Sequence, residues 1–166
     1  IYAAVFENGH PQIVGRRAGD DEFYLNQLIY DGAKDSDLEI AHGMIVDLAH
    51  RPNPDGADNV YWLQGGLGII QNSFGAKPAV QVLRFRTASG DLKTFDLSSL
   101  GVENNPTTDL FQLQSIVFVP AKGKRSDSLV VSGLTGHWMS PLSGDGMPTG
   151  FERMKWTKPY QPVSPN

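Results

Sequence analysis

The chain has 166 residues, the length of one ordinary domain, and its 18 acidic and 14 basic side chains leave a formal net charge of −4. Its only basic clusters, Arg16-Arg17 and Lys122 to Arg125, form no stripe, so the concentrated positive field that a nucleic-acid binder needs to displace phosphate counterions is missing. The absence of cysteine excludes disulfides, thiolate metal sites and a cysteine nucleophile. No apolar run approaches the roughly 20 residues that cross a bilayer as a helix.

Punctuation by 18 glycines and 11 prolines favours short elements joined by turns. "IYAAVF" reads as a strand closed by Asn8-Gly9, with "QIVGRRAG" as its short partner. "DEFYLNQLIYDG", residues 21–32, suits a helix by its acidic start and terminal Gly32. It suits a doubly buried strand equally well, because Phe23, Leu25, Leu28 and Ile29 do not gather on one side of a helical wheel. In "DSDLEIAHGMIVDLAHRP", Ser36 and Glu39 have the spacing of a capping box. Leu38, Ala41, Ile45 and Leu48 follow at one-stripe spacing and Pro52 stops the run, so the pattern predicts a helix over 37–49.

From residue 60 onward the pattern turns to strands. "NVYWLQ" is followed by "GGLGIIQ". "AVQVLRFRT" and "LKTFDL" flank "ASGD" as a hairpin, and "FQLQSIVFV" and "DSLVVSGL" flank the basic turn "AKGKRS" as a second. "TGHWM" and "GFERMKW" flank the longer loop "SPLSGDGMPT". Prolines at every third position from Pro159 to Pro165 mark a polyproline-like tail. The expected architecture is α+β and mainly antiparallel, a sandwich or partly closed barrel with one or two helices in the first third. A single globular domain would span 1–157, with a Pro-rich tail over 158–166.

Histidines are the first place to look for chemistry. On the predicted helix His42 and His50 stand about 12 Å apart along the axis, and on a strand roughly 26 Å. Neither spacing lets both hold one ion at the ~2 Å of a zinc ligand, so no metal and no cofactor is expected. Asp47 and His50, three apart, would touch on a helix surface, where a carboxylate orients an imidazole for proton transfer. The simpler account is a solvated acid–base pair near a helix C-terminus.

Residues 132–156 form the second candidate region. His137, Trp138 and Trp156 flank a glycine-rich loop, and Tyr61 and Trp62 are candidates to join them. Aromatic faces beside such a loop serve sugars, planar ligands and partner proteins, because one ring buries much area at little entropic cost. As core residues, the same tryptophans would plug one end of the sheet. The Asx-rich stretches "DGAKDSDLE" and "NPDGADN" lack the EF-hand pattern and read as turns.

The leading functional expectation is a non-catalytic binding module for a small molecule, a glycan or a protein partner. Its ligand-binding residues would be His137, Trp138, Trp156, Tyr61 and Trp62. A small cofactor-independent enzyme using Asp47, His50 and His42 is the alternative, and a structural subunit whose strand edges are completed by neighbours is the third. A chain that opens on Ile1 rather than Met reads as processed, which points to an extracytoplasmic setting.

Overall fold

The computed structural model describes residues 1–15, 27–36, 43–53, 56–65, 81–87, 89–97, 100, 113–133 and 136–155. Within them lie eleven strands in three antiparallel sheets, and no α-helix. The N-terminal sheet is β1 (Tyr2–Glu7), β2 (His10–Gly15) and β3 (Gln27–Asp31), paired in that order. The central sheet has the order β4 (Ile45–Arg51), β5 (Asn59–Gly65), β6 (Gln81–Arg86), β7 (Leu92–Asp96). The C-terminal sheet has the order β11 (Glu152–Arg153), β10 (Gly136–Pro141), β9 (Ser128–Gly133), β8 (Leu113–Val119). None of the three closes into a barrel.

The expected α+β class is therefore corrected to nearly all β. The predicted helix over 37–49 is absent where the structure describes it, since Ile45–Arg51 is a strand paired with β5; residues 37–42 lie outside the described residues. The helical spacing has a specific origin. A register shift between Ile45 and Asp47 sets Ile45 opposite Gln64 and Asp47 opposite Leu63. That extra residue returns Ile45 to the face shared by Leu48, although the two are three apart. A bulged strand thus reproduces the i, i+3 apolar spacing of a helix. A second bulge, in the β2–β3 pairing, lets Ile29 and Tyr30 of β3 both be buried and explains why 21–32 resisted a periodic reading; residues 21–26 lie outside the described residues.

The central sheet is the middle layer. All seven residues of β5 are buried, because it has a sheet on each face. Tyr61 and Leu63 point one way with Leu83 and Phe85, and meet Ile116, Leu129, Val131 and Trp138 of the C-terminal sheet. Val60 and Trp62 point the other way and meet Ile13, Ile29 and Tyr30 of the N-terminal sheet. Alternation along a strand sorts adjacent residues between two cores. At the open side, the Asp47 carboxylate bridges layers by accepting from the Ile116 amide of β8 at 2.9 Å and from the Leu48 amide at 2.9 Å.

The loop between β10 and β11 is pinned to this sandwich. Tyr61 donates its hydroxyl to the Gly146 carbonyl at 2.9 Å, and Asn59 donates to the Asp145 carbonyl at 3.0 Å. Gly146 has φ +86°, and a Cβ there would collide with the Asn59 side chain and lie 2.7 Å from the Tyr61 hydroxyl. Gly146→Ala should cost about 2–4 kcal/mol from backbone strain plus overpacking. Gly144→Ala, with open space around it, should be close to neutral. Urea midpoints of the two variants test the comparison.

Candidate functional site

Of the five residues expected to form an aromatic surface, three are sealed inside the molecule. Tyr61 and Trp62 are fully buried and Trp138 is 5% exposed, each serving a core between sheets. Trp138 packs inward beneath the Arg153 guanidinium, 6.0 Å from the ring centre. His137 is exposed, on the outer face of β10, where its Nδ1 is 2.8 Å from the Ser132 hydroxyl of β9. Trp156 lies outside the described residues. The second candidate set is also separated. Asp47 and His50 are an odd number apart on a regular stretch of β4, so they point to opposite faces. Asp47 turns toward β8, and the exposed His50 ring sits 5.3 Å from Tyr2. His42 lies outside the described residues. Among the described residues no group of three His, Asp or Glu side chains is placed to hold a metal ion.

Chemistry gathers instead between the N-terminal and central sheets. After β3, Asp31 caps a short 3-10 turn over Gly32–Lys34, accepting from the Ala33 amide at 3.1 Å. The turn carries Asp35 back over the layer interface, where its carboxylate forms an ion pair with Arg84 of β6. The Asp35 and Arg84 side chains are only 2% and 4% exposed. Tyr30 donates its hydroxyl to Asp35 at 2.7 Å and accepts from Arg84 at 3.2 Å and from Gln64 at 3.5 Å. Gln64 in turn donates to the Gly43 carbonyl at 3.2 Å and accepts from the Trp62 indole at 3.0 Å. The Arg84 guanidinium also lies 5.3 Å from the Tyr30 ring centre. One atom of the network, Arg84 Nε, is buried without a hydrogen-bond partner.

Burial first, and then the hydrogen bond to Asp35, push the Tyr30 hydroxyl up to about 12. A raised value means that the folded state holds this proton more tightly than the unfolded chain. The stabilisation is full below the unfolded phenol value near 10 and is lost as pH rises through 12. Tyr30→Phe should therefore flatten the alkaline fall in stability between pH 10 and 12 by an amount of order 2 kcal/mol. Urea titrations at several pH values measure it, with Tyr61, also raised by burial, as the background shared by both proteins.

Above this network a cleft of about 250 Å³ opens to solvent, lined by Leu28, Ile29, Tyr30, Asp31, Lys34, Asp35, Arg86 and Leu92. Its charges are unevenly matched. Asp35 is paired with Arg84, and Asp31 with Lys34 at 3.3 Å. Arg86 extends from β6 to the same side and donates to the Ile29 carbonyl at 2.6 Å, but has no carboxylate partner among the described residues. Leu28 and Leu92, 45% and 41% exposed, form apolar walls beside it.

A second, wider groove of about 520 Å³ runs beside the glycine-rich loop, lined by Met139, Pro141, Thr149, Gly150, Phe151, Glu152, Arg153 and Met154. The sequence pointed to this region through its tryptophans, yet the groove is lined by Met139, Met154, Phe151 and the side chains of Glu152 and Arg153. Tyr30, Asp35 and Arg86 carried no sequence signal, because residues from separate strands meet only across two layers. A charge at the centre of "VLRFR", a segment otherwise patterned as a buried strand, was the one available hint. Compared with known protein families, with curated proteins and with solved structures, the chain matches none. Among the described residues no helix is long and apolar enough to cross a membrane.

Proposed function

We propose that the protein is a non-catalytic binding module that takes a small organic anion in the cleft between the N-terminal and central sheets. The observation that carries this reading is the cleft's charge pattern: a buried ion pair as its floor and, at its wall, Arg86 with no carboxylate partner among the described residues. A buried pair is no cheap source of stability, since apolar residues of similar volume do as well or better. Perturbed ionisable groups under a concave surface are a recurrent mark of binding sites. The volume is below that of pockets for drug-sized ligands, which suits a short carboxylic acid. Arg86 would take the carboxylate in two parallel hydrogen bonds, while Leu28 and Leu92 cover a few carbons.

The test is a heteronuclear NMR titration with butyrate, hexanoate, butanol and butylamine. The acids should shift amides at 28–35, 86 and 92, the amine should not, and Arg86→Gln should weaken the acids at least tenfold. Equal responses to acid and amine, or none to any of them, would rule the reading out. A second reading has its own support: Met139 and Met154 beside Phe151 make an adaptable apolar groove, the kind of surface that methionine gives to protein partners. Shifts confined to 139–154 on adding a short apolar peptide would favour it.

A further inference from the structure

We infer that Asn8, at the tip of the β1–β2 hairpin, is a modification site, where the side-chain amide is lost without an enzyme and aspartate or isoaspartate takes its place. The residue beside it supplies the attacking group. Asn8 is the one asparagine of the chain that a glycine follows. A glycine nitrogen has no neighbouring Cβ to hinder it, and its backbone takes up conformations that bring it onto the preceding side chain.

The turn leaves this pair open to reaction. Glu7 and His10 close a two-residue loop in which Asn8 and Gly9 have φ 51° and 83°, as in a type I′ hairpin. Both residues are exposed, and the space where a Gly9 side chain would stand holds no atom within 4 Å. Neither the Asn8 side chain nor the Gly9 amide is held by a hydrogen bond among the described residues. Ring closure requires Asn8 to turn out of its left-handed conformation. The tip can do so while the rungs from Phe6–Pro11 to Tyr2–Gly15 stay paired, because loop tips open at little cost.

The step balances with water alone. Hydroxide removes the Gly9 amide proton, and the nitrogen attacks Asn8 Cγ. The Cγ–Nδ2 bond breaks and ammonia leaves with a proton taken from water, giving a five-membered cyclic imide. Water then opens either carbonyl. Breaking the bond to Cγ leaves aspartate, and breaking the bond to the main-chain carbonyl carbon leaves isoaspartate. Either product makes the chain one charge more negative than its formal −4. Aspartate suits the same turn, since Asp-Gly is as good a type I′ pair as Asn-Gly. Isoaspartate routes the main chain through Cβ, and the lengthened loop cannot keep both hydrogen bonds of the Glu7–His10 pair.

Other sites of similar chemistry are locked. Asn53 precedes a proline, which has no N–H to give up. Asn59 is 5% exposed and donates to the Tyr61 hydroxyl and the Asp145 carbonyl. In Asp145-Gly146 the Gly146 amide donates to the Ser143 carbonyl at 2.9 Å. In Asp31-Gly32 the carboxylate is held by the Ala33 amide and Lys34.

The test is timed incubation of the full folded chain at mildly alkaline pH, followed by tryptic mass spectrometry and labelling with an isoaspartate methyltransferase. The peptide ending at Arg16 should exchange the mass of an amino group for that of a hydroxyl before any other asparagine peptide does, and should take the label. Because the tip opens readily, the folded chain should convert no more than about tenfold more slowly than the same chain in urea. Asn8→Gln, which would have to close a larger ring, should abolish both signals. A folded chain that stays unchanged while the urea sample converts would overturn the inference. So would an earlier mass change at another asparagine, a mass change without isoaspartate, or an Asn8→Gln variant that reacts as fast as the parent.

Discussion

Asp35→Ala should lower stability by about 3–5 kcal/mol, the usual cost of leaving one member of a buried ion pair alone. Arg84 would keep its charge at 4% side-chain exposure. Tyr30 would lose the acceptor of its hydroxyl, and the turn over Gly32–Lys34 would lose its tie to the central sheet. Part of that loss is the penalty on the partner rather than the worth of the pair, and a double variant separates the two. Asp35→Leu combined with Arg84→Met replaces both charges with apolar groups and should recover most of the loss. Urea unfolding of the parent, the two single variants and the double variant measures the coupling. A change below about 1 kcal/mol in Asp35→Ala would mean that water reaches the pair. The same double variant bears on function: a ligand held by Arg86 above a merely structural floor should still bind once stability is restored.

Trp62→Ala should also cost about 3–5 kcal/mol, for a different reason. The ring is fully buried, packs 5.0 Å from Tyr30, and faces Leu48 across the β4–β5 pairing. Its removal opens a cavity between two layers that are each anchored by their own hydrogen bonds and cannot fully collapse. It also deprives Gln64 of the indole donor at 3.0 Å, and so loosens the network beneath the cleft. Trp62→Phe keeps most of the apolar volume and should lose only about 1–2 kcal/mol, chiefly from that hydrogen bond. Circular dichroism is the suitable probe, because the substitution removes an emitting residue. If alanine and phenylalanine proved equally mild, Trp62 could not be the residue that fills the core between the N-terminal and central sheets.

Much of the strand layout could be read along the chain. Asn8-Gly9, the glycine-containing turn after Arg86 and the basic turn at 122–125 each stand between apolar segments, and each is a hairpin in the structure. Turn chemistry acts over four residues, so it survives in any tertiary setting. The run from Asn59 to Gly65 was legible as apolar but not as the strand shared by two cores, which depends on a third sheet. The segment 37–49 misled because a bulge and a helical stripe generate the same spacing between Ile45 and Leu48. Which one forms is decided by whether β5 offers an open edge.

The candidate site was hidden for the same reason. Asp35 and Arg84 are 49 positions apart and become neighbours only when the N-terminal sheet lies on the central one. Tryptophans 62 and 138, which looked like a surface in the sequence, are consumed by the two cores that the stacking creates.

By itself the sequence determined the turns, the alternation and hence the antiparallel hairpins, because these depend on backbone conformations that a few adjacent residues impose. It also determined, through the absence of cysteine, that no disulfide or thiolate site is available. Only the tertiary structure decided how the sheets stack, which aromatic rings are sealed and where the charges meet, because burial is a property of surfaces brought together from distant parts of the chain.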